Sequence, residues 1–479
     1  MEFEPVIGLE VHVQLKTDTK IFCGCSTRFG SPPNSQTCPV CLGLPGVLPV
    51  LNNDVLKKGI TAGLALNCDI AHYSKFDRKN YFYPDLPKAY QISQYDRPVC
   101  LQGYVDIENK GEKKRIGITR LHLEEDAGKL VHSEDSSDPN SYVDLNRTGV
   151  PLAEIVSDPD MRSADEAYEY LQKIKTIMKY TDVSDVNMEE GSLRCDVNIS
   201  IREKGETKLG EKVEIKNLNS FKFVKAAIDY EFARQVDLAE AGEIKSIIQE
   251  TRLWNADLMK TYSMRSKEDA HDYRYFPDPD LPPIIIDDAY ISELKAGLPE
   301  LPDAKKERFI SEYAIPEYDA AVLTSVRQLA DYYEKVVNLN IDPKKASNWI
   351  MSELLGQIEE LEEIGNFPVT AEKLASLLQL VENNTINGKI AKTVFKDMIE
   401  TGLSPDEIIE KKGLRQVSDS GEIEKIIDSV LDSNAQSVED FRSGKSKALG
   451  FLVGQVMKES EGKANPQIVN EILIKKLNG

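Results

Sequence analysis

At 479 residues, with 41% hydrophobic and 29% charged residues, the chain is too long for one core and has the make-up of a soluble protein of two to four domains. Its net charge of −21 argues against a simple nucleic-acid binder, and no apolar run approaches the ~20 residues of a membrane helix. Seven cysteines, an odd number, argue against a disulfide framework, and the acidic start shows no signal-peptide pattern, so a cytoplasmic location is expected.

Val6 to Leu15 alternates as a strand. Ile7, Leu9, Val11, Val13 and Leu15 share one face, and Glu10, His12 and Gln14 the other. A Glu-x-His pair of this kind is either a satisfied polar pair or part of a metal site. Cys23, Cys25, Cys38 and Cys41 follow with the spacing C-x-C-x12-C-x2-C. Four thiolates suit a structural zinc ion, and such a closed site organises a loop without catalysing. The competing reading is free or redox-active cysteines. Residues 75 to 95 interleave aromatic side chains with Arg78, Lys79 and Lys88. A stretch of this kind either stacks bases and holds phosphates or packs as a rigid loop on a sheet.

Arg120 to Gly128 carries three adjacent carboxylates, Glu124, Glu125 and Asp126, which repel unless a cation neutralises them. Alternation through Leu121 and Leu123 places Glu124 with His122 and Glu125 with the leucines. Further candidates are Glu154, Glu189, Glu190, Asp196 and Glu214. Carboxylates with one imidazole suit Mg²⁺ or Mn²⁺. The other reading is a solvated acidic strand edge. Ser192 to Arg202 alternates again, with Leu193, Cys195, Val197, Ile199 and Ile201 on one face.

Helices are expected over Ala164 to Tyr180 and Phe221 to Ala241. The proline-rich Tyr275 to Pro283 is neither helix nor central strand and leads into a strand at Ile284 to Ile286. Beyond about 291 the pattern is helical: Asp303 to Tyr313, Asp319 to Asn338, Lys344 to Ile364 and Ala371 to Glu382. Gly413 and Ser418 to Gly421 mark a break before a small helical module, Glu422 to Leu477. The fold class is α+β, a largely antiparallel β domain followed by helices. From Arg442 onward seven basic residues (Arg442, Lys445, Lys447, Lys458, Lys463, Lys475 and Lys476) meet only Glu459, Glu461 and Glu471. This local patch either touches phosphate or is a solvated helical surface. Gly444-Lys445-Ser446 is not a phosphate loop, since Glu439 stands where the first glycine belongs.

Several long stretches taken together carry a resemblance. They include Val6-Ile-Gly-Leu-Glu-Val-His-Val13, Lys75-Phe-Asp-Arg-Lys-Asn-Tyr-Phe-Tyr-Pro-Asp85, Lys88-Ala-Tyr-Gln-Ile-Ser-Gln94 and Leu121-His-Leu-Glu-Glu-Asp-Ala-Gly-Lys129. Val143-Asp-Leu-Asn-Arg147, Met188-Glu-Glu-Gly-Ser-Leu-Arg-Cys-Asp196, Lys216-Asn-Leu-Asn-Ser-Phe221, Asp272-Tyr-Arg-Tyr-Phe-Pro277 and Gly450-Phe-Leu-Val-Gly-Gln455 extend it over essentially the whole chain. The chain resembles the B subunit of the bacterial aspartyl/glutamyl-tRNA(Asn/Gln) amidotransferase. The resemblance implies a ligase forming a carbon–nitrogen bond. ATP phosphorylates the side-chain carboxylate of Glu mischarged on tRNA(Gln), or of Asp on tRNA(Asn), and ammonia displaces the phosphate. It implies two partners, an amidase-type A subunit that releases ammonia from glutamine and a small C subunit.

The candidate catalytic residues are Glu10, His12, Glu125, Lys79 and Lys88, which the resemblance implies, together with Glu124, which alternation sets on the polar face; both glutamates are kept and Glu125 is favoured. The resemblance maps Mg²⁺ (or Mn²⁺) onto Glu10, His12 and Glu125; Glu154 and Asp196 are further candidate ligands from their strand positions, and the cysteine spacing assigns zinc to Cys23, Cys25, Cys38 and Cys41. Lys79 and Lys88 fall along the ammonia path near Glu125. For Glu125 to join Glu10 and His12, a bulge must turn it or the strand must end before it. The implied plan is a catalytic cradle over 1–291, a helical domain over 292–410, and a tRNA-binding tail over 411–479 using Arg442, Lys445, Lys447, Lys458 and Lys463. The alternatives are a non-catalytic tRNA scaffold of the same complex and a stand-alone metal-dependent hydrolase.

Overall fold

The computed structural model describes residues 2–132, 140–264, 273–414, 420–445, 447–460 and 463–478. Asp272 of the Asp272–Pro277 stretch, Ser418 and Asp419 of the expected break, Ser446, and Glu461 of the tail lie outside the described residues.

Nine strands form one sheet: β1 (Phe3–Gln14), β2 (Asp69–Ile70), β3 (Cys100–Asn109), β4 (Glu112–Glu125), β5 (Pro151–Ser157), β6 (Leu193–Glu203), β7 (Val213–Lys216), β8 (Glu250–Asn255) and β9 (Lys260–Ser263). Their order is β9-β8-β7-β6-β1-β5-β4-β3-β2. Every pairing is antiparallel except β7 with β8. The central position of β1 follows from its sequence. Its odd-numbered residues from Ile7 to Val13 are fully buried, while its even positions carry Glu10, His12 and Gln14. One face of the sheet therefore packs on a core and the other stays polar.

Helices α1 (Asn53–Ala65), α2 (Ala164–Tyr180) and α3 (Phe221–Glu240) contribute to that core. Each starts at an Asn or Ser whose side-chain oxygen accepts a backbone N–H of the first turn, at Asn52, Ser163 and Ser220. Buried residues of α2 fall at helical spacing, Ala167, Tyr170, Leu171, Ile174 and Ile177, which seats one stripe on the sheet. The expected ranges for α2 and α3 agree with these elements. A short ribbon, Asp77–Asn80 with Tyr90–Ser93, and the pair Tyr73–Ser74 with Ile284–Ile285 are separate from the main sheet.

The described chain divides into two compact units, Met1–Pro302 and Asp303–Gly479. Helix α4 (Asp288–Ala296) belongs to the first, because Leu294 is buried in its core and Leu298 and Leu301 pack against it. The second unit is helical. One buried cluster runs from Phe309 to Ile409, and a smaller one, from Ile423 to Leu477, is built by helices Ser420–Ser433, Lys447–Glu459 and Pro466–Leu477.

Two expected helices are broken. Asp319 to Asn338 is two helices, Glu317–Leu323 and Arg327–Asn338. Thr324 and Ser325 hydroxyls return to the carbonyls of Ala320 and Val322, and Val326 is extended. Lys344 to Ile364 starts as the short helix Pro343–Trp349 and then loosens into π and 3₁₀ turns. Gly356 and the acidic run Glu359, Glu360, Glu362 and Glu363 weaken any continuous helix there.

Helix α1 approaches the sheet closely because Gly63 has no side chain. A Cβ there would collide with Cys100 Sγ. Gly63→Ala is expected to lower stability by about 1–3 kcal/mol, read as a fall in thermal midpoint, and adding Cys100→Ala should recover part of the loss.

Candidate active site

Register decides which side chains meet on the polar face. His12 stands between Glu154 on β5 and Arg194 on β6, and Glu154 in turn stands opposite His122 on β4. Glu10 stands opposite Asp196. β4 continues in register to Glu125, so Glu124 opposes Leu152 and Glu125 opposes Pro151.

Two acidic clusters result. In the first, one ligand atom each from His12, Glu124 and Glu154 lie within 4.8 Å of one another. His12 Nε2 is 3.3 Å from Glu154 and 3.9 Å from Glu124. His122 Nε2 is 3.4 Å from Glu154 and 3.7 Å from Glu124, and Ser93 donates to Glu124 at 3.2 Å. Burial alone would favour a neutral His12, but its hydrogen bond to Glu154 and the charges of Glu154 and Glu124 raise its pKa to about 9. For Glu154, burial raises the pKa, yet the imidazoles of His122 and His12 more than offset it and hold it low. Glu124 is also lowered, burial being outweighed mainly by His122.

In the second cluster Glu10, Asp196 and Glu214 offer ligand atoms within the same 4.8 Å. Asn198 donates to Glu10 at 2.9 Å and Thr251 to Glu214 at 2.8 Å. Lys216 reaches Asp196 at 3.0 Å and Glu214 at 3.2 Å. Burial acts to lower the pKa of this ammonium, but the two carboxylates raise it overall. Both clusters have the hard oxygen donors and limited nitrogen content that suit Mg²⁺ or Mn²⁺.

Glu125 belongs to neither cluster. The set Glu10, His12 and Glu125 expected as one metal site is not brought together, and neither a bulge nor an early strand end intervenes. Strict alternation turns Glu125 to the opposite face from Glu124. There it accepts from Lys88 Nζ and from the backbone N–H of Ile92 at 2.8 Å. It lines a cavity of about 90 Å³ with Lys88, Tyr90, Lys20, Cys23 and Cys41. Lys79 sits elsewhere, with Nζ 4.9 Å above the Tyr273 ring and 5.8 Å from that of Tyr81.

Comparison with known proteins identifies the family of the whole chain. Residues 5–292 match the family model described as the GatB/GatE catalytic domain, and residues 331–477 match the GatB domain. A protein of Carboxydothermus hydrogenoformans is 57% identical over 478 residues, covering 99% of each chain. Proteins of Caldanaerobacter subterraneus and Geotalea daltonii are 57% and 58% identical over the full length of both chains. All three bear the name of the B subunit of aspartyl/glutamyl-tRNA(Asn/Gln) amidotransferase. The chain belongs to this family of amidotransferase B subunits.

The four cysteines also meet. Their sulfurs lie within 4.8 Å of one another and could hold a zinc ion. Cys41 is held low, at about 4, chiefly by a hydrogen bond from Cys23 and with help from Lys20, while burial raises Cys25 to about 11. Lys20 has no exposed surface, and its Nζ reaches Gln36 O at 2.8 Å and Cys41 Sγ at 3.7 Å. Among the described residues no helix is long and apolar enough to cross a membrane.

In the tail, Lys447, Lys458 and Lys475 are exposed and make no ion pair among the described residues. Lys445 pairs with Asp440 at 2.9 Å, Lys476 with Asp428 at 2.6 Å, and Arg442 donates to Leu477 O at 3.3 Å. Lys463 is half-buried. Glu189 and Glu190 lie in the turn before β6 and join neither cluster. Sequence reasoning left Lys20 and the pair Arg194–Asp126 unnoticed, since ion pairs between residues 68 positions apart leave no local signal.

Two outcomes follow from these charges. Divalent-cation binding at His12 needs the neutral imidazole, so affinity should rise with pH up to about 9 and level off above it. Calorimetry near pH 7.5 in buffers of different ionisation enthalpy should show a proton released on Mn²⁺ binding, a release that His12→Gln abolishes. Protein prepared without chelator should carry about one zinc per chain by elemental analysis, and Cys41→Ser should reduce this to a small fraction.

Proposed function

We propose that this chain is the carboxylate-activating subunit of a tRNA-dependent amidotransferase. In this reading it acts on Glu-tRNA(Gln), Asp-tRNA(Asn) or both, in a complex with an amidase-type A subunit and a small C subunit. The observation that carries the reading is the pair of acidic clusters on one sheet face, one residue pair apart on β1. A carboxylate becomes an acyl donor only when its oxygen is made a leaving group. The substrate carboxylate oxygen attacks the γ-phosphorus of ATP, the bond to the β,γ-bridging oxygen breaks, and its electron pair leaves with ADP. Ammonia then adds to the acyl carbon, and phosphate departs.

The protein's part is to position and to neutralise charge. Divalent ions held by His12, Glu124 and Glu154, and by Glu10, Asp196 and Glu214, would neutralise the phosphate oxygens. His122 and Ser93 orient the Glu124 carboxylate, and Asn198 and Thr251 orient Glu10 and Glu214. Lys88 and Glu125, walled by the cysteine loop, suit an ammonia path, because a paired ammonium and carboxylate can pass a proton while excluding bulk water. The cysteine loop is structural in this account. The three-part plan of cradle, helical domain and tail is supported by three separate buried clusters, and the exposed lysines Lys447, Lys458 and Lys475 suit phosphate contact by the tail.

The test is ADP release by the assembled complex with Glu-charged against uncharged tRNA(Gln). ADP formed only with charged tRNA, and reduced ~100-fold or more by His12→Ala, is the expected result. ADP release indifferent to charging, or retained by His12→Ala, would overturn the reading.

A further inference from the structure

Arg194 occupies a singular place in this site. It lies on β6 opposite His12 of the first cluster, two residues before Asp196 of the second. Its charge acts on His12, and it is itself drawn by Asp126, Glu124 and Asp196. One end of the guanidinium is fixed, with Nη2 donating to Asp126 Oδ2 at 2.7 Å. Asp126 is 3% exposed, accepts from Gln14 at 3.0 Å, and lies 3.6 Å from Arg147 Nε as well. Two guanidinium groups therefore share one carboxylate, so Asp126 does not saturate the donors of Arg194. Arg194 Nε is buried with no hydrogen-bond partner among the described residues, while the side chain as a whole is 36% exposed. A planar fork that is anchored at one end, carries an unpartnered Nε and keeps part of its surface open to solvent suits a tetrahedral anion.

We propose that Arg194 is a catalytic residue that binds the transferring phosphoryl group of ATP between the two acidic clusters, with Asp126 as the residue that positions it. This rests on the phosphoryl-transfer reading above and deepens it. Divalent ions held by the two clusters would neutralise phosphate charge from the side of the carboxylates. Arg194 donates to the non-bridging oxygens as the oxygen–phosphorus bond to the substrate carboxylate forms and the bond to ADP breaks, where charge on those oxygens must be held without water. Asp126 keeps the guanidinium from collapsing onto Glu124 or Asp196, either of which would consume its donors.

The experiment uses this chain assembled with its A and C partners and Glu-charged tRNA(Gln). Arg194→Ala should cut kcat for ADP formation by about 10²- to 10³-fold in a complex that stays folded, its thermal midpoint falling modestly because Arg147 still faces Asp126. Arg194→Lys should recover little, because an ammonium lacks the fork. Millimolar guanidinium ion should restore part of the activity of Arg194→Ala and none to Arg194→Lys. Asp126→Asn should give a smaller loss, expressed more in kcat than in KM. ADP formation by Arg194→Ala within about threefold of wild type would overturn the proposal. So would a loss accompanied by a large fall in thermal midpoint and no guanidinium rescue, which would make Arg194 a structural partner of Asp126. If the unaltered complex formed no ADP at all, the phosphoryl-transfer reading would fall. Tripolyphosphate binding, read by calorimetry, would then judge Arg194 alone. A tenfold or greater weakening in Arg194→Ala supports an anion site, and unchanged affinity refutes it.

Discussion

The register of β1 between its two antiparallel neighbours is the constraint on which the site depends. A strand alternates with a period of two, so a single-residue slip would bury Glu10 and His12 and expose Ile7 to Val13. Burial of those odd positions fixes the register at large cost to any alternative. Once fixed, it sets His12 beside Glu154 and Glu10 beside Asp196 with no further adjustment. Chemistry and folding stability thus use the same alternation on opposite faces.

Charge compensation is the second theme. Carboxylates gathered this closely are costly unless each finds a cation or a donor. Here His122, Lys216, Arg194 and Lys88 are distributed so that each acidic residue group has one. The arrangement keeps Glu124 and Glu154 ionised despite burial, which a ligand for a hard cation requires. Lys20 plays the same part under the cysteine loop, where Cys41 is the acidic thiol it faces.

Much of this was legible in the sequence. Alternation in Val6 to Leu15 and Ser192 to Arg202 identified strands and their polar faces, and the cysteine spacing matched a cluster that does assemble. The same alternation separated Glu124 from Glu125, against the assignment that the resemblance implied for Glu125. What was not legible depends on non-local pairing. Glu214 was a candidate from its sequence, but its meeting with Glu10 was not legible, because only the place of its four-residue strand beside β6 brings the two together. Arg194 and Asp126 meet through strand order alone. The helix breaks near Thr324 and Gly356 were missed because apolar periodicity continues across them, while hydroxyl back-bonding and a flexible glycine interrupt the backbone.

The proposed chemistry turns on Glu124, and not Glu125, facing the phosphoryl-transfer site. Glu124→Gln and Glu125→Gln, each in the assembled complex, should be compared for ADP formation with charged tRNA and for amidation driven by glutamine or by free ammonia. Glu124→Gln should lower ADP formation by ~100-fold or more with either nitrogen source. Glu125→Gln should keep ADP formation and lose chiefly the glutamine-driven amidation. Loss of ADP formation in Glu125→Gln with its retention in Glu124→Gln would contradict the account.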